Sequence, residues 1–225
     1  MEEEIILFLK PINDGRFIIS NEFCSIYNPK NKIKIPEVIL PTINEDVSKL
    51  AFPMADNTII ISHFGGQYLE IFYPDIQGIH VPHIKPDYII ERNGIFVSFV
   101  EEFPNKIYCM GTNKGTIEIW STLEKQIPDI ILDNPHKGHI TLLIALKDNY
   151  LASGGIDSNV KIWDIENKIC KFVLKDIFTT DVSHIICIDD FRLLAFYIDE
   201  EMYYHNDNNY GIILWDYQKK LKVLR

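Results

Sequence analysis

No apolar run in this 225-residue chain approaches the roughly 20 residues that cross a bilayer, so a membrane-spanning helix is not expected. Basic charge is in short supply: 22 Lys and Arg face 32 Asp and Glu, a formal net charge of −10. That balance disfavours non-specific binding to nucleic acid. Cysteine is scarce, with four residues (Cys24, Cys109, Cys170 and Cys187), none in C-x-x-C spacing and each within or beside an apolar strand. They read as reduced core thiols of a cytosolic or nuclear protein, against a disulfide framework or a zinc site. The opening Met1-Glu2-Glu3-Glu4 has the wrong charge for a secretory leader. No P-loop, G-x-G-x-x-G or H-E-x-x-H occurs. Long helical periodicity is missing as well.

What the chain does contain is many short apolar runs, rich in Ile, Val, Phe and Tyr and bounded by Gly, Asn, Asp and Pro. These are strands and turns. Trp120, Trp163 and Trp215 lie at intervals of about one repeat, each closing a strand that starts beside a Gly. Counting outward from them gives five sets of four strands within a single domain, 1–225. The first set is Ile5–Leu9, Arg16–Ser20, Phe23–Tyr27 and Lys32–Ile35, with Pro36 to Pro41 as a connector. The second is Val47–Ala51, Thr58–Phe64, Tyr68–Tyr73 and Gly78–Val81. The third is Ile95–Val100, Lys106–Met110, Thr116–Trp120 and Ile127–Leu132. The fourth is Ile140–Ala145, Tyr150–Ala152, Val160–Trp163 and Ile169–Leu174. The fifth is Ser183–Asp189, Leu193–Ile198, Tyr210–Trp215 and Lys219–Leu224, with the polar run Asp199–Asn209 as a long insertion before its third strand.

The fourth set carries the chemistry. A meander over Gly138–Asp164 brings His139, Ser153, Asp157 and Trp163 together beneath a tight turn at Gly154–Asn159. Asp157 accepts from turn N–H groups and from His139, the imidazole reaches Ser153, and the hydroxyl takes the Trp163 indole N–H. Ser, His and Asp also spell a hydrolase, but a nucleophile needs an exposed, strained turn such as G-x-S-x-G. Ser153 ends an apolar strand beside a Trp, so the tetrad reads as a structural staple with no catalytic residue. The third set has lost it: Lys114 and Met110 stand where the fourth has Asp157 and Ser153.

This tetrad, with its Gly-His opening and Trp-Asp close, resembles the WD-repeat proteins, which implies an all-β fold: a WD-repeat β-propeller with about five four-stranded blades, a reduced or incomplete ring. A narrower resemblance lies in Ile107–Asn134 (IYCMGTNKGTIEIWSTLEKQIPDIILDN), where Gly111, Thr112, Ile117, Glu118, Ile119, Trp120, Pro128 and Asp129 are similar to the periodic tryptophan protein family. Tyr68–Pro82 (YLEIFYPDIQGIHVP) continues it, and the likeness covers roughly Asp46 to Asp164. The N-terminal region is shorter than that family's, and its long acidic insert is missing. The resemblance implies a non-enzymatic role in ribosome biogenesis: nucleolar association with large-subunit precursors, support of pre-rRNA processing, and ribosome assembly factors as partners. A WD-repeat module of a vesicle coat, nuclear pore or histone-chaperone complex is the alternative.

His136 and His139 lack a carboxylate or Cys at ligand spacing, so no metal and no cofactor is expected. His80 and His83 read as surface loop residues. Glu101-Glu102 and Asp189-Asp190 are adjacent pairs whose side chains diverge on a strand. Within the insertion and at its end, Met202, Tyr203, Tyr204 and Tyr210 form the candidate partner-binding loop, since aromatics are enriched in protein interfaces.

Overall fold

The computed structural model describes residues 8–20, 24–30, 38–40, 49–73, 85–104, 106–133, 135–175, 181–198, 210–219 and 221–224. They form five four-stranded antiparallel sheets, each built from consecutive strands. The first is β1 (Phe8–Pro11), β2 (Phe17–Ser20), β3 (Cys24–Tyr27) and β4 (Val38–Leu40); the second is β5 (Lys49–Pro53), β6 (Ile59–His63), β7 (Tyr68–Phe72) and β8 (Tyr88–Glu91). The third is β9 (Val97–Phe103), β10 (Ile107–Thr112), β11 (Ile117–Trp120) and β12 (Ile130–Ile131). The fourth is β13 (Ile140–Ala145), β14 (Tyr150–Gly155), β15 (Val160–Asp164) and β16 (Ile169–Leu174). The fifth is β17 (Asp181–Cys187), β18 (Arg192–Ile198), β19 (Tyr210–Asp216) and β20 (Leu221–Leu224).

Five sets of four strands are thus what the chain forms, with local departures. The fourth strand of the first sheet lies at Val38–Leu40, inside the expected connector. Three apolar residues between Pro36 and Pro41 keep their N–H groups and pair with β3. The expected Lys32–Ile35 strand lies outside the described residues, as does Gly78–Val81; the second sheet closes with β8 instead. In the fourth sheet β14 continues through Gly154 and Gly155, which pair with Leu142 and Ile140, so the turn shrinks to Ile156–Asn159.

The chain divides into two compact units, Met1–Val97 with Leu123–Ile127, and Ser98–Thr122 with Pro128–Arg225. In the first, Ile18, Cys24, Ile26, Ala51, Ile59, Ile61 and Phe72 form an apolar core between the first two sheets. In the second, one core joins the third and fourth sheets around Cys109, Ile117, Leu143, Leu151 and Trp163. Another joins the fourth and fifth around Leu142, Ala152, Ile162, Val182, Leu193, Tyr197 and Trp215. A sheet covered on both faces is apolar on both, and all five residues of β15 are buried.

Candidate functional site

The polar chain of the fourth sheet starts from strand register. Ser153 on β14 faces Lys161 on β15, and Trp163 is two residues further along the same face. That diagonal is within reach of a long side chain, and Trp163 Nε1–H donates to Ser153 Oγ at 2.8 Å. Asp157 sits in the turn between the strands. Its Oδ1 accepts the Asn159 N–H at 3.2 Å, and Asn159 Nδ2 returns a bond to the Asp157 carbonyl at 2.8 Å. The turn fixes its own carboxylate.

The imidazole between them comes from His136, not His139. His136 Nδ1 lies 2.7 Å from Asp157 Oδ1 and Nε2 lies 2.6 Å from Ser153 Oγ, while the Lys137 N–H donates to Asp157 Oδ2 at 2.9 Å. Asp157 is held at about 2 from an ordinary 3.8: burial alone would raise it, but the bonds from His136, Lys137 and Asn159 outweigh that. An ionised carboxylate only accepts, so His136 Nδ1 carries the proton and Nε2 accepts from the Ser153 hydroxyl. Every link then runs one way: indole N–H to hydroxyl oxygen, hydroxyl to imidazole, imidazole to carboxylate.

His136 is placed by its neighbours. Its N–H donates to the Gly115 carbonyl at 2.9 Å. A Cβ on Gly115, where φ is +79°, would meet the His136 carbonyl oxygen at 2.2 Å. Gly155 gives the ring room, since a Cβ there would lie 2.7 Å from His136 Nδ1. Lys161 Nζ donates to the Pro135 carbonyl at 2.8 Å, holding the same connector. His139 begins the approach to β13 instead, its carbonyl accepting from the Ile156 N–H at 3.0 Å. The Gly-His pair in the sequence pointed to the wrong histidine. The tight contact to Gly115, which comes from the preceding sheet, decides it.

The connectivity Asp157–Nδ1, Nε2–Ser153 is that of a Ser-His-Asp triad. What differs is access. Ser153 is fully buried, and the Trp163 indole N–H occupies the hydroxyl oxygen on the side an electrophilic carbon would need.

The same position reads differently in the other tryptophan sheets. Met110 and Ala195 stand diagonally across from Trp120 and Trp215, in the place Ser153 holds against Trp163. Trp120 Nε1–H donates instead to Glu118 Oε2 at 3.1 Å, two residues back on its own strand and buried. The Trp215 indole N–H is buried with no partner among the described residues. Glu118 went unassigned in the sequence, although a carboxylate two before a strand-closing Trp is a usable signal.

Among the described residues, no group of three or more His, Cys, Asp and Glu could hold a metal ion. Met202, Tyr203 and Tyr204 lie outside the described residues, as do His80 and His83; Tyr210 opens β19.

A pH dependence follows from the chain. Burial pushes His136 below its ordinary 6.5 against the opposing pull of Asp157, and His139 is lowered too, chiefly by burial. The unfolded chain therefore binds protons that the native protein resists, and stability falls as pH drops below about 6.5. Asp157 adds a contribution present above 3.8 and lost as pH falls through about 2. Thermal midpoints measured from neutral to acid pH should fall in these two stages, with His136→Gln flattening the first; a pH-independent midpoint would contradict the arrangement.

No family model matches the chain, and no curated protein matches it. Solved structures do. A chain in a structure described as "Crystal Structure of Mitotic Checkpoint Complex" superposes with a TM-score of 0.75 at 16% identity, over 99% of this chain and 64% of that one. The computationally designed Ika8 protein superposes with a TM-score of 0.68, also at 16% identity, over 97% of this chain and 59% of its own. The chain thus spans less than two thirds of either structure's length. At this identity the likeness speaks to fold alone. Five antiparallel four-stranded sheets of consecutive strands, superposing on these structures over 99% and 97% of this chain, give it a fold of the β-propeller type.

Proposed function

We propose that this propeller is a non-catalytic scaffold that holds other proteins together, and that it serves ribosome biogenesis in the nucleolus. One observation carries the scaffold reading. The group that most resembles a reaction centre is sealed, with Ser153 fully buried and its oxygen engaged by both His136 and Trp163. A superposing chain belongs to a multiprotein complex, which fits a protein-binding role. The ribosomal assignment rests on the resemblance of Ile107–Asn134 to the periodic tryptophan protein family. Its IEIW strand is β11, whose Glu118 takes the Trp120 indole. Partners would be large-subunit assembly factors and pre-ribosomal particles.

Purification of the tagged chain tests this. Large-subunit assembly factors and precursor rRNA should co-purify, and nuclease treatment should leave the protein partners bound. Recovery of coat, nuclear-pore or histone-chaperone subunits without them would replace the ribosomal reading by that of another scaffold.

A further inference from the structure

A cavity of about 300 Å³ opens between the fourth and fifth sheets, at the end where β13 turns into β14 and β17 into β18. Tyr150 and Phe172 wall it from the fourth sheet, and Phe191 and Tyr217 from the fifth. All four residues lie in one compact unit, beside the core that the two sheets share. Phe191 is 40% exposed, which leaves its ring accessible from solvent.

Two of the chain's own lysines cap the mouth. Lys147 Nζ lies 2.5 Å from Asp190 Oδ2 and bridges the two sheets. Lys171 Nζ stands 4.6 Å from the centre of the Tyr150 ring and donates to its hydroxyl. The ring quadrupole attracts an ammonium placed over its face, so Lys171 shows that this wall accepts a cation. On the opposite wall the Tyr217 hydroxyl donates to the Asp190 carbonyl. Burial first, then Cys187, Asp190, Asp148 and Asp189, push that hydroxyl up to about 12. The field there is negative.

We propose that this cavity takes an arginine side chain from a partner protein. Four aromatic rings offer stacking surface to a planar guanidinium. Asp148 and Asp190 line the mouth and Asp164 lies 4.0 Å from Lys171, three carboxylates against two ammonium groups. Displacing the lysines costs little, because both are solvent-exposed and such pairs contribute little. The incoming guanidinium replaces Lys147 on Asp190 and stacks on Phe191. The site deepens the scaffold reading and rests on it for the partner being a protein; binding of the isolated side chain does not.

Two-dimensional NMR of the full chain, titrated with N-acetyl-arginine amide at fixed ionic strength, tests the proposal. Resonances of Tyr150, Phe191 and Tyr217 should shift with a Kd of about 1 mM, the strength open to so small a ligand. N-acetyl-glutamate amide should leave them in place. Lys147→Ala, at an exposed position, frees Asp190 and should tighten arginine binding several-fold. Phe191→Ala, checked for an unchanged melting curve, should weaken it several-fold. Resonances indifferent to arginine overturn the proposal, as does weaker binding in Lys147→Ala, the mark of an anion site. Arginine binding without any co-purifying protein would fail the scaffold reading alone.

Discussion

Trp163→Ala should destabilise the protein by about 3–5 kcal/mol, the range for deleting a fully buried large aromatic. Trp163 is fully buried against Cys109, Ile117, Leu143 and Leu151, so truncation opens a cavity between the third and fourth sheets. The variant also removes the donor to Ser153, leaving the hydroxyl oxygen with a lone pair facing the void. Asp157→Ala should follow at about 1–3 kcal/mol, because the His136 Nδ1–H and the Lys137 N–H both lose their acceptor. Lys114→Ala, at an exposed turn position of the third sheet, should stay within about 0.5 kcal/mol. Denaturant unfolding of the three variants gives the order directly. A Trp163→Ala loss as small as that of Lys114→Ala would mean the chain is not assembled.

Glu70→Ala is the second large effect, at about 1–3 kcal/mol, the cost of leaving buried polar groups without their partner. Glu70 is fully buried on β7, with His63 Nε2 3.1 Å away and also buried. Lys49, fully buried, pairs in register with His63, and register sets Lys49, His63 and Glu70 on one face of the second sheet. Without the carboxylate, the buried His63 loses the polar neighbour nearest its Nε2. Replacing all three together by Met, Leu and Leu should cost little or even stabilise, because desolvation offsets most of what a buried pair gains. The contrast between single and triple variants is the diagnostic. Similar losses in both would show that the positions matter for packing rather than charge.

The sheets were legible because their causes are local. Short β-branched and aromatic runs, Gly and Asn at turns, and three strand-closing tryptophans fix strand identity without tertiary knowledge. Ser153, Asp157 and Trp163 were legible for the same reason, since all three lie on or between β14 and β15. His136 was not. It reaches the turn from a connector whose path depends on a backbone contact with Gly115 in another sheet, and no local pattern encodes that contact. Val38–Leu40 was hidden by flanking prolines, which mark connectors on average but leave the N–H groups of these three residues intact. Glu118 entered the sequence reading only through the family resemblance, with no partner assigned to it. Its role follows from the register: the Trp120 indole N–H needs an acceptor, and Met110 stands where Ser153 serves Trp163.

The Asp–His–Ser–Trp chain is a staple built on His136, and paired unfolding of His136→Ala and His139→Ala separates the two histidines. His136→Ala strips an acceptor from the Ser153 hydroxyl and a donor from Asp157, so it should cost about 2–4 kcal/mol, two lost buried bonds at the usual penalty each. It should also abolish most of the difference between Asp157→Ala and wild type, because the two residues act through one link. His139→Ala should cost at most about 1 kcal/mol and add independently to Asp157→Ala. The opposite order, with His139 costly and coupled to Asp157 while His136 is neutral, would mean that the staple is not built on His136.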